Sequence, residues 1–293
     1  MSRQLNCPLI KILRYSNEMA TSALASRIAP LFGFTPEVML ECMAALRGEG
    51  SAMPESFYER LPTIGTNLGP SLGRGAYGGI EANPANESIA YKRILFYDKN
   101  SCRDAMVEAF IQAVLCTDPT IGSSICRLFR IYRSEATLVL EMERLPETLH
   151  DFIHVYGITE PMKEMLIEMI HVIRTLQALY HFQHSDFHLR NIMVKDNHIK
   201  LIDFGFARIE VEGLVYKTRN ALDPEKGTNL KRAFRSLKMV RSILYEFLDM
   251  ATAGEPDDAI IEKIRALKSH TGGRHTKRRR NPQKHSRFTR KQA

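Results

Sequence analysis

Cysteine is sparse in this chain and its spacing suggests no partnership. Five occur, none in a Cys-x-x-Cys, and their odd number and wide separation exclude a disulfide framework or a zinc-binding pattern. A reducing compartment is expected. Long apolar runs are missing too: nowhere do 18 uninterrupted apolar residues occur, and the opening "MSRQLNCPLIKIL" is too short and interrupted for a signal peptide, so neither membrane insertion nor export is expected. These absences point to a soluble, intracellular protein. Charge is unevenly spread as well. The last 24 residues, "HTGGRHTKRRRNPQKHSRFTRKQA", hold nine Lys or Arg and no Asp or Glu, so the formal net charge of +8 sits in the tail and the body is close to neutral.

What is present sets the organisation. At 293 residues and 44% hydrophobic the chain can bury a substantial core, as one large domain or two lobes. Residues 8–60 read as helical and distinct in texture, with "EVMLECMAAL" at helical spacing and "RGEGSAMPES" as a break. From Leu68 the chain turns to glycine-rich turns and short β-type runs, among them "SIAYKRILFY", "LFRIYRS" and "ATLVLEME". Between them "SCRDAMVEAFIQAVLC" carries the apolar stripe of an amphipathic helix. Beyond the short amphipathic "ETLHDFIHVY" lies a long helix opened by Glu160 and Pro161, then "NIMV" and "HIKLID" as strands about the turn "KDN". Helices over about 229–250 and 256–268 complete the reading. The domain boundaries expected are an N-terminal helical extension over 1–62, a small β-rich lobe over 63–143, a reduced helical lobe over 144–269 and a disordered basic tail over 270–293. That tail suits nucleic acid, an acidic partner or nuclear import through "KRRR", or is simply solubilising; Phe288 is its one aromatic for base stacking.

The segment "HSDFHLRNIMVKDNHIKLIDFG" concentrates chemistry. Phosphoryl transfer needs metal ions on the nucleotide phosphates and a carboxylate beside the attacking hydroxyl. Asp and Asn supply the oxygen ligands that Mg²⁺ prefers. If Asp186 and Asn191 share a loop, a strand-turn-strand returns Asp203 beside them. Each motif alone has a plainer reading, since Asp-Phe-Gly is commonly a turn and His-x-Asp a helix cap. Upstream, Gly73, Gly75 and Gly78 form a Gly-x-Gly-x-x-Gly whose ordinary alternative is a glycine-rich surface loop, and Lys92 follows in "IAYKR".

Taken together these motifs resemble the protein kinase superfamily: "HSDFHLRN" is similar to the catalytic loop His-Arg-Asp-Leu-x-x-x-Asn, "DFG" is intact, and "IAYKR" stands where Val-Ala-Ile-Lys is expected. The resemblance implies an α+β, bilobal protein-kinase-like fold with a small β-rich N-lobe and a reduced helical C-lobe behind an N-terminal helical extension. It implies catalytic roles for Asp186 as base and for His188, Lys92 and Glu108. His184 would brace the loop. Gly73, Gly75, Gly78, Lys92, Glu141 and Met142 would bind the nucleotide, with Leu140 at the inner end of the hinge, and Asn191 and Asp203 would hold the metal. ATP and Mg²⁺ or Mn²⁺ are the implied cofactors, and protein substrates the implied partners.

Departures narrow the reading. Ser185 replaces the arginine usual before the catalytic aspartate, which removes a cation that pairs with an activation-loop phosphate. His188 occupies the lysine position of serine/threonine kinases. No Ala-Pro-Glu follows "DFGFARIEVEGLVYKTRNALDPEKG", so the peptide-docking platform is expected to be abbreviated or absent. The compact pattern with its basic tail resembles the serine/threonine kinases of large cytoplasmic DNA viruses, which would place the chain in host cytoplasm and virion. The alternatives are a small-molecule phosphotransferase of the aminoglycoside or choline type and a pseudokinase scaffold.

Overall fold

Among the described residues three helices precede the first strand: α1 (Pro8–Phe32), α2 (Pro36–Leu46) and α3 (Glu55–Arg60). This computed structural model describes residues 8–47, 55–75, 78–135, 137–222, 228–240, 247, 250–251 and 253–271. Thr35 begins α2, its hydroxyl accepting from the Val38 backbone N–H while Pro36 occupies the first turn, where no backbone donor is needed.

Five strands then form one antiparallel sheet in the order β1-β2-β3-β5-β4: β1 (Ser71–Gly75), β2 (Gly78–Ala82), β3 (Ile89–Leu95), β4 (Leu128–Ser134) and β5 (Thr137–Glu143). Between β3 and β4 runs α4 (Lys99–Cys116), opened by a reciprocal cap in which the Asp98 carboxylate accepts from the Ser101 N–H and the Ser101 hydroxyl faces the Asp98 backbone. The apolar spacing of α4 predicts one buried stripe. Instead every residue from Ala105 to Leu115 is buried, Gln112 and Glu108 included, because the sheet covers one side and α1 and α2 cover the other. A helix without a solvent face is a core helix.

The second lobe holds β6 (Glu147–Thr148), α5 (Leu149–Tyr156), β7 (Gly157–Ile158), α6 (Glu160–Tyr180), β8 (Ile192–Lys195) and β9 (His198–Leu201). After these come β10 (Arg208–Val211), β11 (Leu214–Lys217), α7 (Thr228–Val240), α8 (Asp257–Arg265) and β12 (His270–Thr271). Thr159 caps α6 and β8-β9 is the expected hairpin, with Asp196 and Asn197 at positive φ in its turn. The molecule is thus bilobal and α+β.

Two features differ from the sequence reading. The stretch after Asp-Phe-Gly, in which the sequence reading named no strands, is a hairpin of β10 and β11 turning at Glu212 and Gly213. The basic tail was expected to begin at 270, yet His270 and Thr271 pair with Ile158 and Gly157. The remainder of that tail, parts of the helix expected over 229–250, and residues 1–7 lie outside the described residues. The larger of two hydrophobic clusters among the described residues runs from Ile28, Phe32, Met39 and Leu46 of the extension through Phe110 to Leu166, Phe182 and Phe204 of the helical lobe.

Candidate active site

Strand alternation aims Lys92 inward from β3. Its neighbours Tyr91 and Arg93 face the other side of the sheet, where Arg93 pairs with Glu81 and Tyr91 packs with Leu68 and Val139. The Lys92 Nζ lies 2.5 Å from Glu108 Oε1 on α4 and 2.8 Å from Asp203 Oδ1, so residues from three distant parts of the chain meet at one ammonium. Burial opposes the charge on Lys92, but the two carboxylates overcome it and hold the amine well above its ordinary value. Asp203 moves the opposite way, to about 2, chiefly because the Lys92 ammonium favours its ionised form. Burial pushes the Glu108 carboxyl up against the pull of Lys92.

Asp203 is placed by the preceding residue. Ile202 donates its N–H to the Asn191 carbonyl at 3.1 Å, and its own carbonyl lies 3.0 Å from His184 Nε2. His184 is fully buried, which lowers its basicity, and its carbonyl partner requires the proton on Nε2. Phe204 seals this junction, its ring centroid 5.6 Å from that of His184 and 6.3 Å from that of Phe182. His184 therefore lies where a brace would, tying the loop to the strand that leads into Asp203.

Within the loop, Asn191 Nδ2 donates to the Asp186 carbonyl at 3.0 Å and to its Oδ2 at 3.3 Å. With the amide nitrogen turned to Asp186, the Asn191 side-chain oxygen Oδ1 remains as a metal donor. His188 Nε2 stands 3.6 Å from Asp186 Oδ2, with the imidazole 38% exposed.

Over Lys92 lies a cleft of ≈ 270 Å³ lined by Gly75, Gly78, Ile80, Met142, Asp203 and Gly205 among others. Gly78 has a steric reason to be glycine, since a Cβ there would sit 1.7 Å from the Arg93 carbonyl oxygen. Gly73 belongs to the same hairpin, opposite Ile80, but does not line the cleft. Met142 does line it, whereas Glu141, expected beside it along the nucleotide edge, turns its carboxylate to the opposite face and accepts from the Tyr132 hydroxyl at 3.1 Å. Adjacent strand residues point to opposite faces, so only the Glu141 backbone shares an edge with Met142. Leu140 is buried opposite Lys92. Asp186, His188 and Asn191 do not line this cavity; the Asn191–Ile202 hydrogen bond joins their loop to it.

The donor set suits a nucleotide-borne divalent cation. Among the described residues no cluster of three or more His, Cys, Asp or Glu could cage a metal. Asp203, with its side chain 46% exposed, and Asn191 instead offer two hard oxygen donors, as Mg²⁺ needs when phosphates and water complete its shell.

Sequence reasoning overlooked several residues here. Arg219 lines the cleft and reaches Asp104 on α4, Nε to Oδ2 at 2.6 Å. Glu143, at the end of β5, is gripped by Lys195 at 3.0 Å and Lys200 at 3.2 Å from the β8-β9 hairpin. The lysine spacing along β8 and β9 was visible, but nothing local marked Glu143 as their partner.

A two-lobed molecule whose interlobe cleft presents a lysine clamped by two carboxylates has the geometry that nucleotide-dependent phosphoryl transfer calls for. Residues 66–223, more than half of the sequence, match the family model for the protein kinase domain, and the chain belongs to that family. No curated protein matches it. Among solved structures, a crystal structure of a kinase domain is 22% identical with a TM-score of 0.41; the match covers 47% of this chain and 50% of that one. That likeness spans only half of the other chain and adds no weight to the assignment. Among the described residues no single helix is long and apolar enough to cross a membrane.

Proposed function

We propose that this chain transfers the γ-phosphoryl group of ATP to serine and threonine hydroxyls of proteins. The observation that carries the reading is the convergence of Glu108 and Asp203 on Lys92 within the cleft. The glycine hairpin around Gly75 and Gly78 would cover the phosphates, Lys92 would hold the α- and β-phosphates, and Asn191 and Asp203 would hold Mg²⁺ or Mn²⁺. The bound metal ion would neutralise charge on the phosphate oxygens.

The rest is the work of the chain's own groups. Asp186, its side chain 45% exposed and oriented by Asn191, takes the substrate hydroxyl proton as the new oxygen–phosphorus bond forms and the bond to the departing ADP oxygen breaks. Glu108 keeps Lys92 in place, since an ammonium held by a buried carboxylate needs no reorganisation when charge develops. His188, close to Asp186, would donate to the transferring phosphoryl group, the part played by lysine in serine/threonine kinases. The compact C-lobe and basic tail support the resemblance to kinases of large cytoplasmic DNA viruses, and with it a viral source. A small-molecule phosphotransferase is the second reading, favoured by the short passage from β11 to α7 where a peptide platform would lie.

Incubation with ATP and Mg²⁺ followed by mass spectrometry tests the proposal. Phosphate is expected on Ser and Thr of casein or of the chain itself. Phosphorylation of aminoglycosides or choline without any protein label would replace the protein substrate with a small alcohol.

A further inference from the structure

Glu108 acts only while α4 stays against the sheet, and the structure shows what keeps it there. The α4 face turned away from β4 and β5 is covered by α1 and α2, so that Met106, Phe110 and Val114 share one core with Ile28, Phe32, Met43 and Leu46. Polar ties reinforce this packing. Arg103 on α4 is 4% exposed, and its Nη2 donates to the Leu46 carbonyl at the C-terminal end of α2 at 2.8 Å. Its Nη1 reaches the Lys217 carbonyl in β11 at 3.4 Å. Next to it, Asp104 accepts from Arg219 through Nε at 2.6 Å and the backbone N–H at 3.1 Å. The Tyr216 ring of β11 packs at a tilt of 37° against Phe110, with centroids 4.4 Å apart. At the far end of the hairpin, the Thr21 hydroxyl of α1 donates to the Glu212 carboxylate. Extension, α4 and hairpin thus brace one another.

The hydroxyl-bearing residues of this hairpin are placed for packing. Tyr216 and Thr218 are each 1% exposed, so a kinase could not reach either while the hairpin is folded. Nor is a phosphate receiver evident before Asp186: Ser185 occupies that position at positive φ, its hydroxyl accepting from the Leu222 N–H at 2.9 Å and its carbonyl from Arg232.

We infer, resting on the kinase reading above, that the N-terminal helical pair is a built-in positioning element that holds Glu108 on Lys92 without phosphorylation of the segment after Gly205, with Arg103 as its central positioning residue. A buried guanidinium that joins two carbonyls from separate elements fixes α4 in translation and rotation, as apolar packing alone does not.

The test uses the full chain. Phosphatase-treated wild type and the double variant Tyr216→Phe/Thr218→Val are expected to keep peptide phosphorylation within about threefold of untreated wild type. Arg103→Ala is expected to lower kcat/KM by about 10²-fold, the scale of a misplaced catalytic group. It should also speed amide hydrogen exchange across α4, a readout that needs no turnover. Arg103→Lys, which keeps the charge and can reach one carbonyl, should fall between, and stands in if Arg103→Ala does not fold. Activity lost on phosphatase treatment, or unchanged α4 exchange and kcat/KM in a folded Arg103 variant, would overturn the inference. A wild type inert towards every acceptor would instead defeat the kinase reading, and the exchange arm would still decide the role of Arg103.

Discussion

Gly78 shows how one residue ties local geometry to the site. Its Cα approaches the Arg93 carbonyl so closely that Gly78→Ala must part β2 from β3 beside Lys92. The expected cost is about 1–3 kcal/mol, as for other forced overpacking, and a lowered urea midpoint would report it. Asp203 gives a second handle. Its folded value of about 2 lies below the ordinary 3.8, so the unfolded chain binds that proton more tightly. The stability it contributes is complete above pH 3.8 and is lost as the pH falls through about 2. Lys92, raised from 10.5, contributes stability that is complete below that pH and is lost as the pH rises through its higher folded value. Urea unfolding of wild type and Asp203→Asn from pH 6 to about 2.5 should therefore show a gap that is constant at the upper end and shrinks at the lower. A gap independent of pH would mean that the Lys92–Asp203 pair does not form.

At the scale of elements, the readable parts were those whose chemistry is local. Asp186, Asn191 and Asp203 fall within 18 consecutive residues, where loop, strand and turn signals are strong. Lys92 followed from the resemblance of "IAYKR", after the glycine motif, to Val-Ala-Ile-Lys, and Glu108 from the carboxylate partner that this lysine needs on the next helix, where Asp104 is the other acid. The hairpin of β10 and β11 was missed although its strands are as long as those of the β8-β9 hairpin, four residues each, because no flanking chemical motif singled it out. The surroundings of α4 were illegible for another reason. Arg103 and Lys217 are separated by 114 positions and Asp104 and Arg219 by 115, so no local pattern could announce either partnership. The direction of the Glu141 side chain was not read: Met142 faces the cleft, so the neighbouring side chain turns to the other face.

For the whole molecule, the continuous core predicts that the extension and both lobes unfold together. Phe32 is fully buried in that core, and Phe32→Ala should cost about 3–5 kcal/mol. The loss should appear in one shared transition, seen alike by far-ultraviolet dichroism and by a probe in the helical lobe. Separate transitions would show that the extension is an independent unit. The same continuity explains how a core helix can open onto a cleft at its Glu108 and still be immobile enough to hold Lys92.

The most direct test of the central claim compares nucleotide binding and turnover in wild type and Asp186→Asn. The two proteins should bind ATP equally, because Asp186 lies outside the cleft that holds Lys92. Phosphate transfer to protein should fall by about 10²–10⁴-fold in the variant, the contribution of a positioned general base. Equal transfer by both would contradict the account, because the loop carrying Asp186 and Asn191 would then have no part in the chemistry.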